Sequence, residues 1–179
     1  MAYNFERVHR FANDESIHLP TRATRFAAGY DFEVAEDTVI PSYGSLMSTI
    51  KNSSMAVNAL SLDDINRITK TLNTKPTLVP TGIKVCLDPG EFLQLSVRSS
   101  CPLKYWLILA NGVGIIDADY YNNPDNDGEI FFQIINLSPY DIQLHKGDKI
   151  GQGIILKYGL TDDDAENEIE RQGGFGSTS

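Results

Sequence analysis

The sequence predicts an all-β domain, either a sandwich, a jelly roll or a barrel, because short alternating segments recur between turn signals. Apolar and polar residues alternate in residues 83–87 and again in residues 93–97, as expected for strands with one buried face. Asp88-Pro89-Gly90, which favours a tight turn, separates the two segments. Many short strands joined by such turns are typical of antiparallel sheets packed face to face.

Length, charge and composition restrict the class of protein. A chain of 179 residues can bury a substantial core, and residues 1–179 are predicted to form a single domain. The net charge of −9 argues against direct binding to nucleic acid or to an anionic membrane. No apolar run is long enough to predict a membrane span. Two cysteines are too few for a disulfide framework, so we expect a cytoplasmic protein, or one in the host cytoplasm if a phage encodes it.

The first part of the chain predicts an N-terminal strand or arm over residues 1–20, followed by a second strand. Tyr30, Phe32 and Val34 alternate and mark the buried face of that second strand. The two-residue period puts Asp31 on the opposite face. Asp31 is therefore either a solvent-facing acid or a functional carboxylate.

Residues 44–75 differ in composition from the segments around them and predict an insertion that contains a helix. Ser61 suits the N-cap position, the acids that follow it complement the helix dipole, and Asn73 is a plausible end. One face of the helix carries the apolar residues, namely Leu62, Ile65, Ile68 and Leu72. The insertion is either passive packing on the outside of a β domain or a surface for a protein partner.

Strand patterns resume after the insertion and continue through most of the chain. Residues 78–79, 130–135, 142–144 and 150–156 all have strand character, and Lys146-Gly147-Asp148 predicts a turn. No internal repeat of 20–50 residues accompanies them. The repeated strands therefore support one β domain rather than an array of small units.

The most distinctive segment is residues 111–120. Two glycines expose the backbone on either side of Val113, so that a ligand can lie flat against its N–H and C=O groups. An apolar strand follows and ends in Asp117. By itself the segment is most simply a core strand with an acidic end, but it also suits a planar ligand whose reacting centre lies near a carboxylate.

Two further stretches carry groups that suit an anion. Arg98-Ser99-Ser100 offers a planar guanidinium fork and two hydroxyls, which together can bind phosphate. Gln152 adds an amide donor within a glycine-rich strand. Each signal is weak alone, because such residues are common on protein surfaces.

The C-terminal stretch, residues 161–179, changes from an acidic linker to a glycine-rich end with a single phenylalanine. One interpretation is a disordered terminus, which is the usual fate of such tails. The other is a flexible arm that closes over a ligand. In that case Phe175 stacks on a ring, while Arg171 and Ser177 contact an anion.

Five patterns, taken together and in order, resemble the trimeric dUTPase family, the dUTP pyrophosphatases. They are Ala28-Gly29-Tyr30-Asp31, Arg98-Ser99-Ser100, Asn111 through Tyr120 with Gly128 after it, Gly147 through Gln152, and Arg171 with Gly174-Phe175-Gly176-Ser177. The resemblance covers about residues 20–43 and 76–179, within the usual tolerance for element boundaries.

The resemblance implies a jelly-roll or β-clip fold that forms a homotrimer with active sites shared between subunits. The C-terminal arm of one subunit would close over a site built by the others. The implied reaction converts dUTP and water to dUMP and pyrophosphate, with Mg²⁺ held by the substrate phosphates and waters rather than directly by the protein. This reaction would limit uracil incorporation into DNA and supply dUMP for thymidylate synthesis.

The resemblance also implies a role for each matching residue. Asp117 would activate the attacking water, Asp31 would support the metal–water network, and Tyr120 would lie under the deoxyribose and leave no room for a 2′-hydroxyl. The uracil would be read by Asn111 and the backbone of Gly114, Ile115 and Ile116. The phosphates would contact Arg98, Ser99, Ser100 and Gln152, and the arm would add Arg171, Phe175, Gly176 and Ser177.

Some features depart from the family pattern, and other functions compete with it. Lys149 stands where arginine is common, and residues 121–127 extend the loop before Gly128.

The related dCTP deaminases need a glutamate at the position of Gln133, and an amide cannot perform acid–base catalysis. A binding or regulatory module that uses residues 44–75 is the remaining alternative.

Overall fold

The computed structural model describes residues 4–44, 48, 61–72, 74–163 and 173–174. Within those ranges it contains eleven strands, which confirms the all-β prediction. The strands are β1 Asn4–Arg7, β2 Tyr30–Glu33, β3 Thr38–Ile40, β4 Thr77–Pro80, β5 Ile83–Cys86, β6 Glu91–Val97, β7 Leu107–Leu109, β8 Gly114–Asp117, β9 Phe131–Asn136, β10 Ile142–Leu144 and β11 Lys149–Lys157. The helices are α1 Leu62–Leu72 and α2 Ser100–Tyr105, with short 3-10 turns at His9–Phe11 and Ala118–Tyr120.

The strands pair in two main sheets and two smaller ones, all antiparallel. One main sheet has the order β2-β11-β6-β8 and the other has the order β4-β9-β7, while β1 pairs with β5 and β10 pairs with β3. Phe32 on β2 and Phe132 on β9 are both fully buried, and their ring centroids lie 5.7 Å apart. The two main sheets therefore pack face to face, with the apolar core between them.

The alternating patterns predicted most strands correctly because one face of each strand meets this core. In β6 and β9 every second side chain is buried, as the two-residue period requires. Residues 115–116 were expected to lie in a buried strand. Ile116 is buried as expected, but Ile115 is exposed. The strand β8 is therefore half-buried, with one face open.

The elements that were not predicted from the sequence include α2 and β7. The helix α2 has only six residues and contains Pro102, so it is too short to show a helical period. Trp106 ends α2 in the left-handed conformation with φ of 57° and is 62% exposed, and the three-residue strand β7 follows at once. Both elements are set by tertiary contacts rather than by local pattern.

The helix α1 begins as predicted, at a capping box. The hydroxyl of Ser61 accepts a hydrogen bond from the Asp64 N–H (3.1 Å), and the Asp64 carboxylate accepts one from the Ser61 N–H (3.2 Å). No residue of α1 is buried, and Leu62 is 88% exposed. The predicted end at Asn73 lies outside the described residues. The helix is thus a surface element, and its apolar stripe is not part of the core.

None of the helices in the described ranges is long and apolar enough to cross a membrane.

Candidate functional site

A cavity of about 350 Å³ lies beside β8, and the segment that stood out in the sequence forms one of its walls. Asn111, Gly114, Ile115, Ile116 and Tyr120 all contribute to it. The remaining lining residues are Leu95, Leu109, Phe131, Gln133 and Gly174. The side chains of the walls are mostly apolar, while backbone and amide groups add polar surface, a combination that suits a small planar ligand.

The strand β8 presents its backbone to this cavity because it is the edge strand of its sheet. On one side Gly114 pairs with Leu95 of β6, and a Cβ at Gly114 would lie only 3.0 Å from the Leu95 Cβ. Glycine therefore allows the two strands to approach closely. On the other side an edge strand offers backbone donors and acceptors in a fixed order, which can read the edge of a base.

Tyr120 closes the cavity from the end of β8 and is only 5% exposed. Its hydroxyl donates to the Glu129 carbonyl oxygen (3.0 Å) and accepts a hydrogen bond from the Asn126 amide (2.6 Å). The ring also meets the tail, since a Cβ at Gly174 would lie 2.7 Å from Cε2 of Tyr120. The aromatic ring is therefore fixed on several sides.

Asp117 ends β8 and directly precedes the 3-10 turn that carries Tyr120. Asp117 is half-buried, and its backbone is extended, with φ of −77° and ψ of 158°. In the register of the sheet it stands opposite Phe92, near the start of β6. The candidate acid thus lies next to the cavity that could hold a base and a sugar.

A second cavity, of about 440 Å³, lies at the other end of β6 and contains the residues predicted to bind anions. Arg98, Ser100 and Lys149 line it, and the neighbouring Ser99 is exposed. The other lining residues are Cys101, Tyr105, Leu107, Ile142, Gln143, Leu144, Gly147, Asp148 and Ile150. Two cationic side chains and a serine make this cavity suitable for phosphate.

Asp31 organises the cations of the second cavity. Its carboxylate lies 3.7 Å from Nε of Arg98 and 3.3 Å from Nζ of Lys149. Gln152 pairs with Asp31 in the sheet register, and Gly29 packs so closely on Gln152 that a Cβ would lie 2.5 Å from its amide oxygen. Three of the sequence patterns therefore meet at one place: the first through Asp31, the second through Arg98, and the fourth through Lys149 and Gln152.

Among the described residues, Cys101 carries the only thiol beside this cluster, and its surroundings make it unreactive. The Cys101 thiol is buried and donates to the Ile150 carbonyl oxygen (3.2 Å). Burial raises the pKa of the Cys101 thiol, although Arg98 and Ser100 act in the opposite direction. Nucleophilic thiol chemistry is therefore disfavoured at this site.

The two cavities are lined by different groups of the predicted site residues. Arg98 directly follows β6 and lies six positions after Phe92, which faces Asp117. At about 3.3 Å per residue this spacing corresponds to about 20 Å. A single chain therefore keeps the candidate acid and the candidate phosphate ligands well apart.

Four of the predicted site residues belong to parts of the chain that the structure does not describe. Arg171, Phe175, Gly176 and Ser177 lie outside the described residues. Leu95, Leu109 and Phe131 line the first cavity without having been singled out, since apolar strand residues carry no chemical signal of their own. The described part of the chain has no group of three or more His, Cys, Asp or Glu side chains that could hold a metal ion.

Comparisons with known proteins show the family of the chain. Residues 64–179 match the family model described as dUTPase. The chain is 37% identical over 175 residues to the deoxyuridine 5′-triphosphate nucleotidohydrolase of Lactococcus lactis, covering 97% of this chain and 95% of that protein. It is 36% identical over 146 residues to the same enzyme of Finegoldia magna, covering 78% of this chain and 90% of that protein.

Solved structures give the same result. The dUTPase of Streptococcus mutans superposes with a TM-score of 0.68 at 36% identity, covering 89% of this chain and 98% of the other. The dUTPase of the Staphylococcus aureus phage phi11, which has a species-specific insert, superposes with a TM-score of 0.62 at 17% identity and covers 95% and 99%. At that identity the phage protein supports the fold alone.

Proposed function

This chain belongs to the dUTPase family, has the family's jelly-roll fold and is a dUTP diphosphatase, and on that premise we propose how its residues act. Asp117 activates a water that attacks the triphosphate, so that dUTP yields dUMP and pyrophosphate. A positioned carboxylate suits this step, because it can accept the proton of the water as the new bond to phosphorus forms. In the cell the reaction limits uracil incorporation into DNA and supplies dUMP for thymidylate synthesis.

The uracil ring binds in the first cavity, against the backbone of Gly114–Ile116 and beside Asn111. The edge position of β8 supports this assignment, since fixed N–H and C=O groups match one pyrimidine and leave another unpaired. Gln133 lines the same cavity and carries an amide. A deaminase would need a carboxylate there for proton transfer, so the deaminase alternative is disfavoured.

The deoxyribose packs on the ring of Tyr120. A side chain that is almost fully buried and held through its hydroxyl cannot easily move aside for a 2′-hydroxyl. We therefore assign to Tyr120 the discrimination between dUTP and UTP.

The phosphates bind to Arg98, Ser99, Ser100 and Gln152, and Asp31 positions Arg98 and Lys149 through its two ion pairs. Mg²⁺ would be carried by the substrate phosphates, with the Asp31 carboxylate beside Arg98 and Lys149 able to bind the waters around the ion. Mg²⁺ usually keeps several waters and binds through substrate phosphates. When bound, it neutralises phosphate charge, and Asp31 also serves the surrounding water network.

One observation carries the proposal that the active site is shared in a homotrimer. The base-binding residues line one cavity, whereas Arg98 and Ser100 line another. Asp117 stands opposite Phe92, which lies six positions, or about 20 Å, before Arg98 along the chain of β6. Both halves must act on one nucleotide, which requires Asp117 of one subunit to meet Arg98 of another. The arm residues Arg171, Phe175, Gly176 and Ser177 then close the assembled site. Residues 1–179 act as one domain, with residues 44–75 as an insertion and residues 161–179 as linker and arm.

Mixing two inactive variants tests this arrangement. Asp117→Asn and Arg98→Ala should each abolish pyrophosphate release from dUTP with Mg²⁺. Asp117→Asn should still bind a non-hydrolysable dUTP analogue, because the amide keeps the shape of the carboxylate. After the two variants are unfolded together and refolded, random closed trimers should recover about a quarter of the wild-type activity, since some sites combine the intact halves.

Each variant refolded alone provides the control and should stay inactive. If the mixture also stays inactive while forming trimers, Asp117 and Arg98 act within one chain and the shared site is wrong. Near-normal hydrolysis by Asp117→Asn alone would instead remove Asp117 from the mechanism.

The exposed apolar stripe of α1 is the remaining candidate for a protein partner. Residues 44–75 could serve as that surface, as the sequence suggested, and the exposure of Leu62 supports it. Deleting residues 44–75 should leave dUTP hydrolysis intact, which a steady-state assay would check.

A further inference from the structure

The loop at residues 121–127, which lengthens the chain between Tyr120 and Gly128, is a compact and firmly attached structure. Lys84 of β5 donates to the Asn122 side chain (2.5 Å) and to the Asp127 carboxylate (2.9 Å). The Asp127 carboxylate also accepts a hydrogen bond from the His9 N–H (2.6 Å), and the Tyr121 hydroxyl donates to Glu6 (2.8 Å). The loop is therefore anchored on two strands outside itself.

Two asparagines of this loop hold Tyr120 at both ends. The side chain of Asn123 is buried and donates to the Tyr120 carbonyl oxygen (2.9 Å) and to the Asn126 side-chain oxygen (2.8 Å). The amide of Asn126 then donates to the Tyr120 hydroxyl (2.6 Å). The orientation of Asn126 is fixed further by the Gly128 N–H, which donates to its oxygen (3.1 Å).

The end of the loop must be glycine for this arrangement to form. Gly128 has φ of 76°, and a Cβ there would lie 2.8 Å from both the Asn122 nitrogen and the Tyr120 carbonyl oxygen. The chain thus returns tightly to its own starting point, and Glu129, the next residue, offers its carbonyl oxygen to the Tyr120 hydroxyl. These two hydrogen bonds of the Tyr120 hydroxyl therefore depend on the loop and its end.

We propose that Asn126 is a positioning residue for sugar selectivity, which it exerts by holding the Tyr120 hydroxyl from the added loop. The proposal rests on the proposed function of Tyr120 as the surface under the deoxyribose. A phenol with a single hydrogen bond can swing about its Cα–Cβ bond, whereas one held by both a donor and an acceptor cannot. The restraint keeps the ring where a 2′-hydroxyl would collide with it.

The test is the ratio of kcat/KM for dUTP to kcat/KM for UTP, measured by pyrophosphate release. Asn126→Ala removes the donor and should lower this ratio about fivefold, the effect of one lost uncharged hydrogen bond. Tyr120→Phe removes this bond together with the one to the Glu129 carbonyl oxygen, keeps the ring, and should lower the ratio at least as much. The second variant keeps the test valid if Asn126→Ala disturbs folding.

A double variant separates positioning from general damage to the loop. If Asn126 acts through the hydroxyl, adding Asn126→Ala to Tyr120→Phe should change the ratio no further. A further decrease in the Phe background would mean that the asparagine acts by another route, and would overturn the proposal. Asp125→Ala, at an exposed position beside Asn126, is the matched control and should leave the ratio unchanged.

Tyr120→Ala distinguishes failure of this inference from failure of the proposed function. If loss of the whole ring leaves the ratio unchanged, the sugar role of Tyr120 is wrong, and the inference falls with it. If loss of the ring lowers the ratio while Asn126→Ala and Tyr120→Phe do not, the role of the ring stands and only the inference is overturned.

Discussion

At the scale of single residues, Tyr120 shows how one side chain depends on several distant stretches of sequence. Its hydroxyl contacts Asn126 and Glu129, while its ring meets Gly174 near the end of the chain. The sequence identified the tyrosine and the glycine separately, as parts of two patterns. Only the folded chain shows that they touch, because about fifty intervening residues return the tail to β8.

Gly174→Ala should reduce activity through this contact. The added Cβ would lie 2.7 Å from the Tyr120 ring, which cannot yield because its hydroxyl is held. We expect kcat/KM for dUTP to fall about tenfold, which corresponds to about 1.4 kcal/mol, with the melting temperature nearly unchanged. Steady-state kinetics and a thermal melt would check both values.

Gly159→Ala is the matched control for Gly174→Ala, since a Cβ at Gly159 meets nothing within 4 Å. It should behave as wild type in both measurements. Full activity of Gly174→Ala would show that the tail does not need to approach Tyr120 during turnover.

At the scale of elements, the loop at residues 121–127 and strand β5 form one unit around a buried cation. Lys84 is only 4% exposed, and its ammonium binds Asn122 and Asp127 and lies 5.1 Å from the centroid of the Tyr121 ring. Partial burial acts to raise the pKa of Asp127, but hydrogen bonds from the His9 N–H and Lys84 outweigh it and lower the pKa. A buried charge of this kind is stable only with its partners in place.

Lys84→Met should therefore destabilise the fold, because it leaves the Asp127 carboxylate without its cation. We expect a loss of about 2 kcal/mol in the free energy of unfolding, measured by urea denaturation. Adding Asp127→Asn to Lys84→Met should recover part of the loss, since the unpaired charge is then gone. If the double variant is less stable than Lys84→Met, the ion pair is not the reason for the effect.

At the scale of the whole molecule, ion pairs between distant segments connect the N-terminal region to the turn between β10 and β11. The carboxylate of Asp14 accepts a hydrogen bond from Lys146, 132 residues away, at 2.7 Å. That bond, together with the hydroxyl and N–H of Ser16, lowers the pKa of Asp14 to about 2. The Lys146 N–H and His145 likewise lower the pKa of Asp37.

These shifts predict the direction of acid unfolding. The pKa of Asp14 is lower in the folded state than in the unfolded state, where it is about 3.9. Its stabilising effect is therefore complete above pH 4 and is lost as the pH falls towards 2. Thermal melts of Asp14→Asn and wild type between pH 2 and pH 5 should show a shallower decline for the variant, and parallel curves would contradict the prediction.

The fold could largely be predicted from the sequence where a strand has one face in the core. The alternation in β6 and β9 reflects that geometry directly, and the capping box of α1 is a local interaction between Ser61 and Asp64. The short elements α2 and β7 could not be predicted, because six and three residues are too few for a period to appear.

The sequence by itself predicted most of the strands, the start of α1 and the candidate residues of the site, since each depends on neighbours along the chain or on a recognisable chemical pattern. Tertiary structure alone decided which residues share a cavity. The antiparallel pairing of β6 with β8 sets Asp117 opposite Phe92 and leaves Arg98 at the far end of the same strand. Tertiary structure also decided that residues 121–127 hold Tyr120, because hydrogen bonds across a loop depend on how the loop backbone folds back on itself.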